Sequence, residues 1–216
     1  MQTDSGKIPD SRTLAKQRRR EQLIKATISC VAKRGFSATT MADITKEAGL
    51  SLGIVNLHFK SKDKLLLETL KYMAEEYRRH WEKTLERAGP APADKLAALV
   101  ELDFSRTIAD RKKLAVWFAF WGETRSRPVY MKTCAEYDNY YVATEAELFA
   151  EILRNGAETQ HDPQVLATTL DALIDGLWLD MLLTPKELNR KQALDLAMNF
   201  LHAVLPAHFH PASGLE

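Results

Sequence analysis

Residues 40–64 read TMADITKEAGLSLGIVNLHFKSKDK, and this stretch decides the fold. Thr40 and Asp43 form a Thr-x-x-Asp capping pair, so a helix starts at Met41 with Ile44 and Ala48 on its inner face. Gly49 is the left-handed residue that stops it, and Leu50 plugs the turn. Ser51 then caps a second short helix running to about His58. Phe59 anchors its end in the core, and Ser61 caps a third helix. The pattern is helix, turn, helix, the arrangement in which the second helix enters a DNA major groove and the first crosses the backbone. Gly53 inside the second helix costs about 1 kcal/mol relative to Ala. It is explained if backbone must come close to something, either the preceding helix or a phosphate.

Upstream lies RTLAKQRRREQLIKATISCVAKRGF, residues 12–36, where Leu23, Ala26, Thr27, Cys30 and Val31 recur at helical spacing before a turn at Gly35. The first residues, Met1–Ser11, are rich in Asp, Ser, Gly and Pro and are expected to be loosely attached. Charge is divided unevenly. Twelve Lys and Arg face four Asp and Glu from Arg12 to Lys64, whereas the remainder carries 17 against 23. Arg12, Lys16, Arg18, Arg19 and Arg20 crowd a helix N-terminus, where cations oppose the dipole, so the run suits phosphates better than stability. A solvated basic surface is the plainer alternative. A nucleic-acid partner is therefore expected for the N-terminal quarter only.

Downstream, Leu65, Leu66, Leu70, Met73, Tyr77, Trp81 and Leu85 hold an apolar stripe from about Lys62 to Glu86. The segment AGPAPAD, residues 88–94, ends this helix and offers Pro92 to the next. The charged run DRKK at 110–113 divides the following helical region in two. A long helix begins near Pro128 and closes at Gly156. His161, Asp162 and Pro163 open another, and Thr184 with Pro185 and Glu187 is expected to start a last helix to about Leu205. No credible strand appears. The fold class is all-α with about nine helices: a three-helix DNA-binding domain at 12–62 and a helical bundle for effector binding and dimerisation at 63–206. No apolar run approaches 18 residues, so no membrane span is expected. Cys30 and Cys134 lack metal or redox spacing, which fits a reduced cytoplasmic setting without a metal.

In the second short helix the outward candidates are Leu52, Ile54, Asn56, Leu57 and His58. Asn56 can pair bidentately with an adenine edge, and Ile54 or Leu57 can pack on a thymine methyl, unless those two are core. His58, Lys60, Lys62 and Arg18, Arg19 and Arg20 are assigned to phosphate, with backbone donors near Thr40 and Ser51. The larger part carries aromatics, among them Trp117, Phe120, Trp121, Tyr137, Tyr141 and Trp178, with acids among them including Asp103 and Asp175. Rings beside a carboxylate can hold an organic cation, at about 0.5–2 kcal/mol per ring; a plain aromatic core is the other reading. Asp175 lies in an apolar stretch and faces either the pocket or a second subunit. The last two helices are apolar around much of their circumference, which suggests a two-fold dimer through Leu170, Gly176, Leu177, Leu194, Met198 and Leu201. Two copies would also let single recognition helices reach two half-sites. No catalytic constellation, cofactor motif or metal motif is present, and His202, His208 and His210 read as surface.

The run Gly35-Phe-x-x-Thr-Thr-Met-x-x-Ile44, followed by Ala48-Gly-Leu-Ser-x-Gly-Ile-Val-x-x-His58-Phe-x-Ser-Lys62-x-x-Leu65, resembles the N-terminal domain of the TetR family of one-component repressors. The resemblance covers roughly residues 17–65. It implies an all-helical homodimer whose last two helices dimerise and whose effector releases the operator. It also implies that Ile54, Asn56, Leu57 and His58 face the groove and that Lys62 holds a phosphate. Asn56 departs from the Tyr common in the family, which favours a base contact there. Trp117–Trp121, Arg127–Tyr130 and Leu173–Trp178 are similar to the C-terminal domain of the choline-responsive repressors of glycine betaine synthesis.

The expectation is thus a dimeric, non-enzymatic transcriptional repressor that binds double-stranded operator DNA and is relieved by a small organic effector, such as a quaternary ammonium compound like choline. The alternatives are the same regulator answering a neutral or anionic apolar metabolite, or a helical enzyme with a basic extension. A structural nucleoid protein would have no use for the aromatics.

Overall fold

A computed structural model describes residues 11–155 and 161–211, and among these it contains nine α-helices and no strand. The expectations for residues 1–10 and for Gly156 fall outside the described residues. The helices are α1 (Ser11–Arg34), α2 (Met41–Ala48), α3 (Leu52–His58), α4 (Lys62–Arg87), α5 (Pro92–Asp103), α6 (Arg111–Gly122), α7 (Pro128–Asn155), α8 (Pro163–Leu183) and α9 (Arg190–Val204). The chain divides into two compact units between Tyr72 and Met73, inside α4, so that this helix contributes its first turns to one unit and the rest to the other.

The first unit closes on Leu23, Ile24, Ala26 and Cys30 of α1, Ile44 and Ala48 of α2, Val55, Phe59 and Leu65. Its local geometry follows from caps. The Thr40 hydroxyl oxygen accepts from the Asp43 amide at 3.1 Å, and the Thr40 amide donates to Asp43 Oδ2 at 3.0 Å, a complete capping box. Gly49 ends α2 in the left-handed region, φ 63°, with its amide bonded back into the helix. The Gln22 side-chain amide donates to the Ala48 carbonyl at 2.7 Å and ties α1 to that end of α2. Ser51 occupies the N-cap position of α3, but its side chain makes no cap hydrogen bond, contrary to expectation.

The second unit packs α7 along α8, α5 against α7 and α9, and α6 against α8. Its core includes Trp81, Leu96, Leu99, Phe104, Leu114, Tyr141, Phe149, Leu170, Leu177, Trp178, Ala197 and Leu201. Asp110 and Asp162 cap α6 and α8 through pairs of backbone amides.

The start of the last helix is a correction. Thr184 closes α8: its amide donates to the Asp180 carbonyl at 2.7 Å and its hydroxyl to the same carbonyl at 2.9 Å. A hydroxyl engaged backwards cannot cap forwards. Asn189 caps α9 instead, and Gln192 completes that capping box. The expected interface residues differ in their exposure. Leu170, Leu177 and Leu201 are buried in the core of their own chain, while Leu194 and Met198 are partly buried against it. Large apolar side chains go to the nearest core first. The exposed positions on α8 include Val165, Thr169, Ala172, Gly176, Leu179 and Leu183, spaced at three and four along one face.

Candidate functional site

In the first unit, α3 is held by Val55, fully buried, and by Phe59 at its end. That fixes its outward face. Leu52 and Leu57 are 53% and 73% exposed, and Asn56 is exposed between them. Ile54 is half-buried, which separates the two apolar candidates: Leu57 faces out and Ile54 sits at the edge. A Cβ added at Gly53 would meet only Ser51 Oγ, at 3.8 Å, so the preceding helix does not require glycine there.

The cations differ in readiness. Arg18, Arg19 and Lys60 are exposed. Lys62 is half-buried with its Nζ 3.5 Å from the Phe36 carbonyl. Arg20 is engaged, forming an ion pair with Glu68 and lying over the Phe59 ring at 5.9 Å. The His58 imidazole is held below its usual range by partial burial and by Lys16, Arg19 and Arg20. That favours the neutral imidazole, which can still donate one hydrogen bond to a phosphate. At the N-terminus of α2 the Thr40 and Asp43 amides are already engaged in the capping box.

In the second unit a different chemistry is concentrated. The Tyr77 hydroxyl of α4 donates to Asp103 Oδ1 at 2.5 Å, and the Trp178 indole N–H donates to the Asp103 carbonyl at 3.0 Å. Tyr77 meets Tyr141 edge-on with centroids 4.9 Å apart, and Trp178 at 6.2 Å; Trp81 lies 5.1 Å from Tyr141 and 5.7 Å from Tyr140. Three polar atoms of this group are buried without a hydrogen-bond partner: Trp81 Nε1, the Tyr141 hydroxyl and Glu145 Oε2. Leaving such atoms unpaired costs about 1–3 kcal/mol each.

The acids there push one another upward. Burial raises Asp103 to about 8, against the lowering effect of the Tyr77 hydrogen bond, with Asp171 and Asp175 adding to the rise. Glu145 is raised well above the carboxylate range by burial, then by Asp103 and Asp171. Asp175 reaches about 7 through burial, Asp171 and Asp138. Asp138 and Asp171 are raised as well, each chiefly by desolvation. The nearby Arg78 is neutralised by Glu75 at 2.7 Å and Glu82 at 3.8 Å. No group of His, Cys, Asp or Glu among the described residues is arranged to hold a metal ion.

Residues 23–69 match the bacterial regulatory proteins of the tetR family, and residues 92–206 match the BetI-type transcriptional repressor C-terminal domain. The chain belongs to the TetR family, with a BetI-type C-terminal domain. Among its relatives is the HTH-type transcriptional regulator BetI 2 of Chromohalobacter salexigens, 32% identical over 87% of this chain and 88% of that protein. Another is BetI of Serratia proteamaculans, 30% identical over 89% and 96% respectively. Solved structures similar to it include a protein from Pseudomonas aeruginosa, with a TM-score of 0.77 and 27% identity over 89% of this chain and 93% of that one. A protein from Saccharomonospora viridis, crystallised with choline, has a TM-score of 0.78 and 24% identity over 86% and 96%. This TetR-family chain is thus a DNA-binding transcriptional regulator of BetI type.

Against that background, the aromatic residues of the BetI-type domain fall into separate groups. Tyr141, Trp178 and Asp103 come together, and Asp175 is electrostatically coupled to them through Asp103. Trp117 and Trp121 pair with one another at 6.3 Å, and Phe120 meets Tyr130 edge-on at 5.4 Å. Among the described residues, no ring contact joins Trp117 or Trp121 to Tyr141 or Trp178. Tyr137 donates to Glu75 Oε2 at 3.2 Å, on the Arg78 side. Sequence reasoning missed Tyr77, Trp81 and Glu145. Tyr77 and Trp81 stand four apart on the α4 stripe, where spacing alone signals packing, and Glu145 follows Tyr141 by one turn.

Proposed function

We propose that this TetR-family regulator is a homodimeric, cytoplasmic repressor whose effector is a small organic cation, bound between the rings of Tyr77, Trp81, Tyr141 and Trp178 beside Asp103 and Glu145. The observation that carries this reading is the set of unpartnered buried atoms, Glu145 Oε2, the Tyr141 hydroxyl and Trp81 Nε1, in a group of acids that has no cationic partner. An ammonium group met by aromatic faces would lie against the Glu145 oxygen and offset its part of that cost, whereas the Trp81 N–H needs an acceptor such as a hydroxyl on the same molecule. A neutral or anionic metabolite would leave the acids as they are. The BetI-type domain match, and the choline bound by the Saccharomonospora viridis protein, make choline the first compound to test.

For DNA, the exposed Leu57 and Asn56 support base contacts, and Arg18, Arg19, Lys60 and Lys62 support phosphate contacts. For the dimer, the reading uses the exposed face of α8, from Val165 through Gly176 to Leu183, with Leu196 of α9. A Cβ at Gly176 would meet nothing within 4 Å in its own chain, so a close helix approach at that point belongs to a second copy.

The test begins with an operator selected from random DNA by the purified protein. Choline titrated into that complex is expected to release the DNA, and Tyr141→Ala is expected to remove the release while operator affinity stays within about twofold. If Tyr141→Ala responds like the parent, the effector site lies elsewhere. Sedimentation of Gly176→Leu beside the parent checks the dimer face, with loss of the dimer expected.

A further inference from the structure

The three unpartnered atoms of the aromatic group differ in what they ask of a ligand. Trp81 Nε1 carries a hydrogen and can only donate, whereas Glu145 Oε2 can only accept while its carboxyl is ionised; the Tyr141 hydroxyl can do either. They belong to one place in the second unit. Trp81 stands one turn after Tyr77 on α4, Glu145 stands one turn after Tyr141 on α7, and the rings of Tyr77 and Trp81 lie 4.9 Å and 5.1 Å from that of Tyr141. Glu145 also acts electrostatically on Tyr77, which sets its carboxyl beside that ring. Trp81, Tyr141 and Glu145 are 0%, 7% and 4% exposed, so bulk water does not supply their missing partners.

Acceptors outnumber donors here. Among the described residues the Asp103 side chain accepts one hydrogen bond, from Tyr77, and the Glu145 side chain takes part in no hydrogen bond or ion pair. Burial and neighbouring acids raise both carboxyls and no cation lowers either; Arg78 is committed to Glu75 and Glu82. What the group lacks is therefore a charged donor and not charge alone. A quaternary ammonium meets the rings, yet its surface is all methyl and methylene and gives Glu145 no N–H. A protonated amine that keeps one N–H supplies both: its alkyl groups lie on the rings, and its N–H donates to Glu145 Oε2 in a charge-assisted hydrogen bond. Entering the group costs such an amine the water bound at its N–H, so it gains over a quaternary ligand only where an acceptor waits for that hydrogen. Glu145 Oε2 is such an acceptor.

We propose that the cognate effector is a protonated amino alcohol that keeps at least one N–H, rather than a quaternary ammonium: the N–H donates to Glu145 and the hydroxyl oxygen accepts from Trp81. This rests on the cationic-effector reading above and goes further by making Glu145 the residue that tells a tertiary nitrogen from a quaternary one. Choline then binds as the weaker analogue, held by its charge, its methyl groups and its hydroxyl, with the Glu145 oxygen still lacking a donor.

The experiment is calorimetric titration of the full chain at pH 7 with three probes of nearly equal size. They are dimethylethanolamine in its protonated form, choline, which has a methyl group in place of that N–H, and the neutral isostere of choline with a quaternary carbon in place of nitrogen. Dimethylethanolamine is expected to bind about tenfold more tightly than choline, and choline more tightly than the neutral alcohol. In Glu145→Gln, which keeps an acceptor and loses the charge, the advantage of the amine should shrink to about threefold; in Glu145→Met, of similar length with no such acceptor, it should vanish or reverse. Circular dichroism verifies the fold of both variants. Equal binding of dimethylethanolamine and choline, each above the neutral alcohol, overturns the N–H and leaves the cationic reading standing. A preference for the amine that survives Glu145→Met overturns the assignment to Glu145. If the neutral alcohol binds as tightly as both cations, or none of the three binds, the cationic reading falls and this inference falls with it.

Discussion

The two units handle charge in opposite ways. In the first, cations are gathered on the surface: Arg18, Arg19 and Lys60 are exposed, and those with acidic neighbours pair singly, as Lys33 with Glu47 and Arg34 with Asp43. In the second, acids are gathered inside, without cationic partners, around rings. A surface of cations attracts a polyanion from a distance and is screened by salt, whereas an enclosed acid group selects one small cation and is little screened. On the proposed reading, one chain carries a long-range charge recogniser and a short-range one, with opposite sign.

Substitutions can break this contrast, and the largest effect belongs inside. Trp178→Ala removes a buried ring and the indole donor to the Asp103 carbonyl, so a loss of about 3–5 kcal/mol in stability is expected by chemical denaturation, together with loss of effector response. On the outer surface, Arg18→Ala/Arg19→Ala/Lys62→Ala is expected to weaken operator binding by about 100-fold at physiological salt. Its slope of log affinity against log salt should fall by about 0.9 for each phosphate no longer neutralised, read by fluorescence anisotropy.

The interior acids also give a pH signature. Asp103 titrates near 8 in the folded chain and in the ordinary carboxylate range when unfolded, so its neutral form favours folding. Its contribution is complete below the unfolded pKa and is lost as pH rises toward 8. Asp103→Asn is therefore expected to flatten the decline of melting temperature between pH 5 and pH 8, by roughly several degrees at the upper end. An unchanged decline would mean that other groups govern it. Cation binding should strengthen over the same interval, because the charged carboxylates are the form that attracts it.

A smaller effect is expected at the helix entry: Thr40→Ala removes a complete capping box and should cost about 1 kcal/mol, seen as earlier unfolding of the first unit in hydrogen exchange. Smallest of all is His58. Its pKa is depressed by partial burial and then by neighbouring cations, and phosphate would relieve the second effect, so operator affinity should rise a few-fold as pH falls toward 6. His58→Gln should remove that dependence.

Much of the fold is legible in the sequence because it is local. Thr40 with Asp43, Gly49 and Phe59 each announce a cap, a stop or an anchor within a few residues, and the helices of the first unit follow from them. The BetI-type domain is less legible where periodicity alone must choose a face. On α8, Leu170 and Leu177 and the pair Val165 and Leu183 both fit helical spacing, and only the packing of α7 and α9 decides which pair turns inward. Thr184 fails as a helix start because its hydroxyl has a nearer acceptor, the Asp180 carbonyl. The Tyr77–Asp103 bond joins residues 26 apart on different helices, and no short-range signal encodes it.

One ion pair in the first unit bears on how such a protein finds its site. Glu68 holds Arg20 and lies 3.9 Å from Lys71, placing a negative charge within the basic surface. That charge weakens the attraction to every stretch of duplex alike, operator or not. A regulator searching a chromosome spends its time bound to the wrong DNA, and a weaker general attraction shortens each such stay. The carboxylate that lowers total affinity thereby shortens the search.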